Sequence, residues 1–218
     1  MSPLPAPGLL GGWLAVVGLK REAQIWGGRA VVGGGQAERL AAKIEAAIAG
    51  SKPPGLLSFG LAGALASDLS VGDVVIASEI VQGGERWPCD AAMVGALSSR
   101  FGVQPRVMVG SGVVVAGAAA KRVLSAQGAA VDMESQVVAR AANRHGLPLA
   151  VFRVISDAAG HVLPPAALAG FREDGGIDVA AVIVALARDP RQLPALLEAG
   201  RNSGLAFKRL KAARAALG

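Results

Sequence analysis

The stretch Val131–Gly160, VDMESQVVARAANRHGLPLAVFRVISDAAG, decides how this chain is read. In a sequence dominated by Ala, Gly, Val and Leu, Asp132 and Glu134 stand just ahead of an amphipathic run, and Ser156 and Asp157 stand just after an apolar one. Ser135–His145 carries Val137, Val138, Ala141 and Ala142 at helical spacing and stops at Gly146, which suits a helix C-cap. Leu149–Ile155 is apolar apart from Arg153, as a strand buried on both faces should be. Acids at a helix start and at a strand exit occupy the places where open α/β sheets gather their ligands.

Working outward, the same alternation continues. Strands are predicted over Trp13–Gly18, Arg29–Val32, Gly55–Phe59, Asp73–Ala77, Gln104–Val109 and Ala129–Asp132. Helices are predicted over Gln36–Ala49, Ala91–Arg100, Ala118–Ala126 and Val179–Ala187, with two more after Arg191, and Gly50 and Gly128 stand where further C-caps belong. This pattern predicts an α/β fold: a mixed, mostly parallel sheet flanked by helices. No repeat or low-complexity linker interrupts it, so a single domain over residues 1–218 is expected.

Composition narrows the function classes. Apolar residues make up 52% of the chain and Tyr is absent, so the core must be largely aliphatic. The lone Cys89 excludes an internal disulfide and a multi-cysteine metal site, and fits a cytoplasmic protein with an inert thiol. Met1–Gly18 has no basic leader, its first cation being Lys20, and no apolar run reaches the roughly 20 residues that span a bilayer. Five of the 22 cations lie in Arg201–Gly218, which holds no acid; the remaining 17 face 16 acids. A near-neutral body with a basic tail argues against nucleic acid as a partner. Leu205, Phe207, Leu210 and Leu217 can share one face of a helix over about 201–218, with Lys208, Arg209, Lys211 and Arg214 around it. Such a helix either rests on an anionic membrane or docks on its own domain.

Several segments can carry chemistry. Gly33-Gly34-Gly35, after a strand and before a helix, is either an anion cradle or a tight turn. Gly60-Leu61-Ala62-Gly63 ends a strand in small residues that leave room for a ligand. Arg153 inside an apolar strand needs a carboxylate or a site to face. Asp157 at the strand exit is either a general acid or an N-cap. His145 reads as a helix C-terminal cation, and His161 follows the acid loop closely enough to approach the site. Two carboxylates and an arginine converging at strand ends suit cleavage of a C–N glycosidic bond, one acid protonating the leaving base and the other holding ribose hydroxyls.

Gly60–Gly63, Val71-Gly72-Asp73-Val74-Val75, Val131-Asp132-Met133-Glu134 and Val154-Ile155-Ser156-Asp157, in this order, resemble the nucleoside phosphorylase and nucleosidase superfamily, and most closely its methylthioadenosine/S-adenosylhomocysteine nucleosidases. The resemblance covers roughly Gly12 to Gly160. It implies that Asp157 engages purine N7, an Asp there fitting a 6-aminopurine, with Ser156 in support. Glu134 would bind the ribose hydroxyls, Met133 would pack on the sugar, Arg153 would help place the nucleophilic water, and Val115 and Ala116 would read the base. The family's water-activating Glu falls here on Ala23, with Glu22 beside it; Glu22 serves if the turn is shifted by one residue. The phosphorylase positions fall on Ser58 and Leu61, and by the same argument Arg21, with Gly33–Gly35, could bind phosphate. Water is the preferred nucleophile; phosphate would be the co-substrate of a phosphorylase. No metal or organic cofactor is implied, and a homo-oligomer is expected.

Leu163–Leu168 with Arg191–Leu197 resembles the branch associated with bacterial hopanoid biosynthesis. The implied substrate is adenosylhopane, an adenosine whose 5′ carbon bears a pentacyclic lipid, so that a lipid-linked nucleoside and peripheral contact with the inner membrane are expected. The alternatives are a phosphate-dependent purine nucleoside phosphorylase and a nucleoside-binding protein without catalysis.

Overall fold

Four buried residues, Leu14–Val17, form strand β1, second from one edge of the sheet. Their side chains alternate: Leu14 and Val16 enter one apolar cluster, Ala15 and Val17 the cluster on the opposite face. The computed structural model describes residues 8–218; the first seven residues of the N-terminal stretch lie outside the described residues. Seven further strands join β1: β2 (Ala30–Val32), β3 (Leu56–Ala64), β4 (Val74–Gln82), β5 (Glu85–Pro88), β6 (Arg106–Gly110), β7 (Ala130–Asp132) and β8 (Leu149–Asp157). β1 pairs in parallel with β2 and β3. β3 pairs with β7 and β8, β8 with β4, β4 with β6, and β6 with β7, so five strands close into a ring. The sheet is mixed, as the sequence predicts.

Helices α2 (Ala37–Ser51) and α5 (Ser135–His145) cover one face. Leu40, Ile44 and Ile48 of α2 recur every fourth residue, and Val137, Val138, Ala141 and Ala142 of α5 face the same cluster. Helices α1 (Lys20–Trp26), α3 (Ala91–Phe101) and α8 (Leu193–Leu217) cover the other, through Trp26, Leu97, Phe207 and Leu210 against Phe59 and Phe152. Helices α4 (Ala118–Leu124), α6 (Pro165–Ala169) and α7 (Val179–Arg188) lie in the connections.

Several expectations are corrected. The two helices expected after Arg191 are one, α8, because Gly200 and Gly204 leave its hydrogen bonding intact. Gly50 lies inside α2, whose C-cap is Lys52 in left-handed conformation, and α4 ends at Ser125 rather than beside Gly128. β5 was not anticipated; Gly83 and Gly84, at φ 57° and 88°, make the two-residue turn that pairs it with β4. The basic tail takes the docked alternative: Phe207, Leu210 and Leu217 are buried in the core and Leu205 alone of the four is exposed. No described helix is long and apolar enough to cross a membrane.

Candidate active site

The carboxyl ends of β1, β3, β7 and β8 open on one cavity of about 760 Å³. Its polar end is walled by Glu22, Asp132, Met133, Glu134, Ser156 and Asp157. The lining supplied by the α6–α8 region is largely apolar, with Leu163, Ala167, Phe171, Ile177, Val182 and Leu196 beside Arg172 and Ser203.

Glu22 reaches the site by folding back over the start of α1. Its Oε2 accepts the N–H groups of Gly18 at 2.7 Å and Leu19 at 2.8 Å, and its Oε1 accepts the N–H of Leu61 at 2.8 Å. Glu22 lines the cavity and Ala23 does not, so of these two neighbours Glu22 is the one that faces the site. Burial raises the pKa of the Glu22 carboxyl, opposed by Arg153 and by those three amides.

Arg153, fully buried on β8, lies between Asp132 and Glu134. Its Nη2 contacts Asp132 Oδ2, donates to Ser58 Oγ at 2.5 Å and lies 3.8 Å from Glu134 Oε2. Asp132 Oδ2 also accepts from the Ser135 N–H at 3.1 Å and from Ser135 Oγ at 2.7 Å. Asp132 is thus the acid that meets the start of α5, which leaves Glu134 free to face the cavity; Glu134 makes no side-chain cap. Three buried acids share one guanidinium. Burial pushes the Glu134 carboxyl up to about 8; Arg153 opposes the rise, and Asp132 and Glu22 add to it. Asp132 Oδ1 and Arg153 Nε have no protein partner.

Arg153 itself stands behind the cavity wall. Its guanidinium is the counter-charge of the acids and does not reach the cavity, where the expected contact with the nucleophile would lie. Gly60 also lies behind the wall: a Cβ there would sit 2.4 Å from Glu22 Oε1 and 2.6 Å from Arg153 Nη1, so its part is close approach rather than ligand contact. Val115 lines the cavity, whereas Ala116 does not and its carbonyl accepts the Leu163 N–H. In the glycine turn, the N–H groups of Gly33 and Gly34 donate to Val17 and Gly18, so two of the three amides of the expected anion cradle are engaged. Arg21 lines the cavity with its guanidinium 4.2 Å above the Phe207 ring. His161 turns toward Glu198, 3.6 Å away, and does not line the cavity; His145 pairs with Glu45 at the C-terminal end of α5. Burial, then Glu79 and Asp90, push the Cys89 thiol up to about 12, as an inert cysteine requires.

At the exit of β8, Ser156 Oγ lies 2.9 Å from Asp157 Oδ1 and 3.2 Å from the Ala62 carbonyl. On the far side Lys121, from α4, contacts Asp157 Oδ2 and donates to the Ala158 carbonyl at 2.8 Å. Nothing in the run AAAKRVL distinguishes this lysine from a surface one, and sequence reasoning missed it. It also missed the apolar end of the cavity, because that wall is assembled from segments distant in sequence from the acids.

The family model of the Phosphorylase superfamily matches residues 10–188. Comparison with curated proteins gives no match. Among solved structures, a mutant Helicobacter pylori methylthioadenosine/S-adenosylhomocysteine nucleosidase with 5′-methylthioadenosine in its active site superposes with a TM-score of 0.64 at 15% identity, over 93% of this chain and 97% of that one. Futalosine hydrolase of H. pylori gives 0.61 at 16%, over 92% and 96%. The S. pneumoniae methylthioadenosine/S-adenosylhomocysteine nucleosidase with a transition-state inhibitor gives 0.58 at 19%, over 92% and 98%. At these identities the structures share the fold, and the family match spans most of the chain: it belongs to the Phosphorylase superfamily.

Proposed function

We propose that this protein hydrolyses the N-glycosidic bond of an adenine nucleoside. The observation that carries the reading is the Glu22 carboxylate, gripped by three backbone amides and opening on the same cavity as Glu134 and Asp157. Family membership supports it, as do neighbours whose descriptions name nucleosidases and a bound 5′-methylthioadenosine. As the C1′–N9 bond breaks, its electron pair goes to the base and Asp157 delivers a proton to N7. Glu134 holds the ribose hydroxyls and Met133 packs on the sugar. Water adds to C1′ and gives its proton to Glu22, whose burial-raised affinity suits a general base. The proton delivered to N7 is drawn from the Lys121–Asp157 pair, which passes from ammonium and carboxylate to amine and carboxylate and is reset from solvent.

The finer reading is a 5′ substituent that is large and apolar, as in adenosylhopane. A cavity of about 760 Å³ lies in the upper part of the range of about 300–1,000 Å³ typical of ligand sites, and its α6–α8 lining is largely apolar. The expected homo-oligomer belongs to the same reading; Val179, Ile183 and Val184 leave an apolar surface on α7 for such an assembly.

The test is to incubate the protein with adenosine and with 5′-alkyl adenosines, with and without phosphate, and quantify adenine and the sugar product. Adenine release without phosphate is expected, with KM falling roughly fourfold per buried methylene. Release only with phosphate would make the protein a phosphorylase. Binding without release would make it a nucleoside-binding protein.

A further inference from the structure

Lys121 is the one lysine among the described residues with a fully buried side chain, 1% exposed. A lysine so enclosed is rare, because removing an ammonium from water costs several kcal/mol unless charge and hydrogen bonds compensate. Here both compensations are present: Nζ meets Asp157 Oδ2 and donates to the Ala158 carbonyl at 2.8 Å. Asp157 lines the cavity and Lys121 does not, so the ammonium grips the carboxylate from behind. On the other oxygen, Oδ1, Ser156 Oγ stands at 2.9 Å. The backbone closes in as well: a Cβ on Gly63 would come within 3.0 Å of Oδ2. The carboxylate is held at both oxygens, in one orientation, by a buried cation that has no other carboxylate partner among the described residues.

The charge state of Asp157 fixes what it can recognise. A carboxylate only accepts hydrogen bonds, whereas a neutral carboxylic acid both donates and accepts. Facing the edge of a purine that carries N7 and the C6 substituent, an acceptor-only group gains a hydrogen bond from an exocyclic amino group and meets repulsion from a carbonyl oxygen. A neutral acid tolerates either. We propose that Lys121 is a specificity-determining residue: by holding Asp157 as an ion-paired carboxylate, it selects purine nucleosides with a 6-amino group over those with a 6-oxo group. The inference rests on the proposed reading of the site. Lys121 touches no substrate; it acts only through Asp157, fixing its charge and orientation and passing it the proton that goes to N7.

Removing the ammonium has a defined consequence. With no counter-charge the buried Asp157 is favoured as the neutral acid, which accepts a 6-oxo base through its O–H. That acid still carries a proton for N7, so bond cleavage continues while discrimination relaxes. A lysine that merely tethered α4 to β8 would behave differently: its loss would lower stability and depress both substrates in proportion.

The test is the ratio of kcat/KM for adenosine to that for inosine, two nucleosides that differ only at C6, measured on wild type, Lys121→Met and Lys121→Gln. Met fills the buried channel without charge, and Gln is the second variant should Met not fold; thermal melts confirm that the measured variant is folded. Wild type is expected to prefer adenosine strongly. The variant is expected to lower that ratio roughly tenfold to a hundredfold, the size of one charge-assisted hydrogen bond, mostly through a gain on inosine. A wild type that cleaves adenosine together with an unchanged ratio in the variant would overturn the Lys121 inference and leave the proposed function standing. A wild type that cleaves neither nucleoside, nor a 5′-alkyl pair, would overturn both.

Discussion

Gly18 separates two of the acids on which the site depends. A Cβ added there would lie 2.7 Å from Glu134 Oε1, and its own N–H is one of the donors that hold Glu22. Gly18→Ala is therefore expected to displace Glu134 and lower kcat/KM for adenine release by a factor of about 100, with little change in melting temperature. Glu22→Gln keeps the size of the side chain and removes the proposed base; kcat is expected to fall by a factor of about 100 to 10,000 while nucleoside affinity, read by calorimetry, stays within a few fold. Glu134 gives a pH signature. Its folded pKa of about 8 lies above the ordinary glutamate value of 4.5, so its contribution to stability is complete below about pH 4.5 and is lost as pH rises through 8. Melting temperature should decline over that window in wild type, and Glu134→Gln should flatten the decline. At this scale the sequence was informative where function needs rare residues. Asp132, Glu134, Arg153 and Asp157 stand out from an aliphatic background and meet around one cavity. Lys121 does not stand out, since burial makes it special and burial is a property of the fold.

At the scale of elements, α8 fixes the basic end of the chain to the sheet. Phe207 stacks beneath Arg21 and packs in the cluster that includes Phe59 and Phe152. Phe207→Ala is expected to cost about 3–5 kcal/mol in a denaturation experiment, whereas Leu205→Ala, at an exposed site, should change little. Truncation at Arg201 would remove buried Phe207, Leu210 and Leu217 and so should unfold the protein rather than detach a free tail. The sequence pattern located every strand of the sheet except β5, because apolar runs bounded by glycines are strong local signals. It placed the β3 end at Phe59, five residues short, because the strand continues through Gly60 and Gly63 where small residues read as a turn. It missed α1 because this seven-residue helix, Lys20–Trp26, has the apolar Leu19 as its N-cap; its capping contact comes from Glu22, the proposed base.

For the whole molecule, the cavity joins two kinds of wall. One end concentrates acids around a single arginine, and the other offers aliphatic and aromatic surface from α6 to α8. A nucleoside that carries a large apolar 5′ group matches both. The sequence announced the acidic end through ordered motifs, and it announced the apolar end only by resemblance, because that surface arises when Leu163, Phe171, Ile177 and Leu196 are brought together by the chain's return across the sheet. The most direct test of hydrolytic cleavage is adenine release in phosphate-free buffer from a 5′-alkyl adenosine by the wild-type protein, with Glu22→Gln and Asp157→Asn measured alongside. Steady release by wild type is expected, with water's oxygen at C1′ of the sugar product, and loss of release in both variants. Wild-type release that depends on phosphate, or that survives Glu22→Gln unchanged, would contradict the proposed hydrolysis.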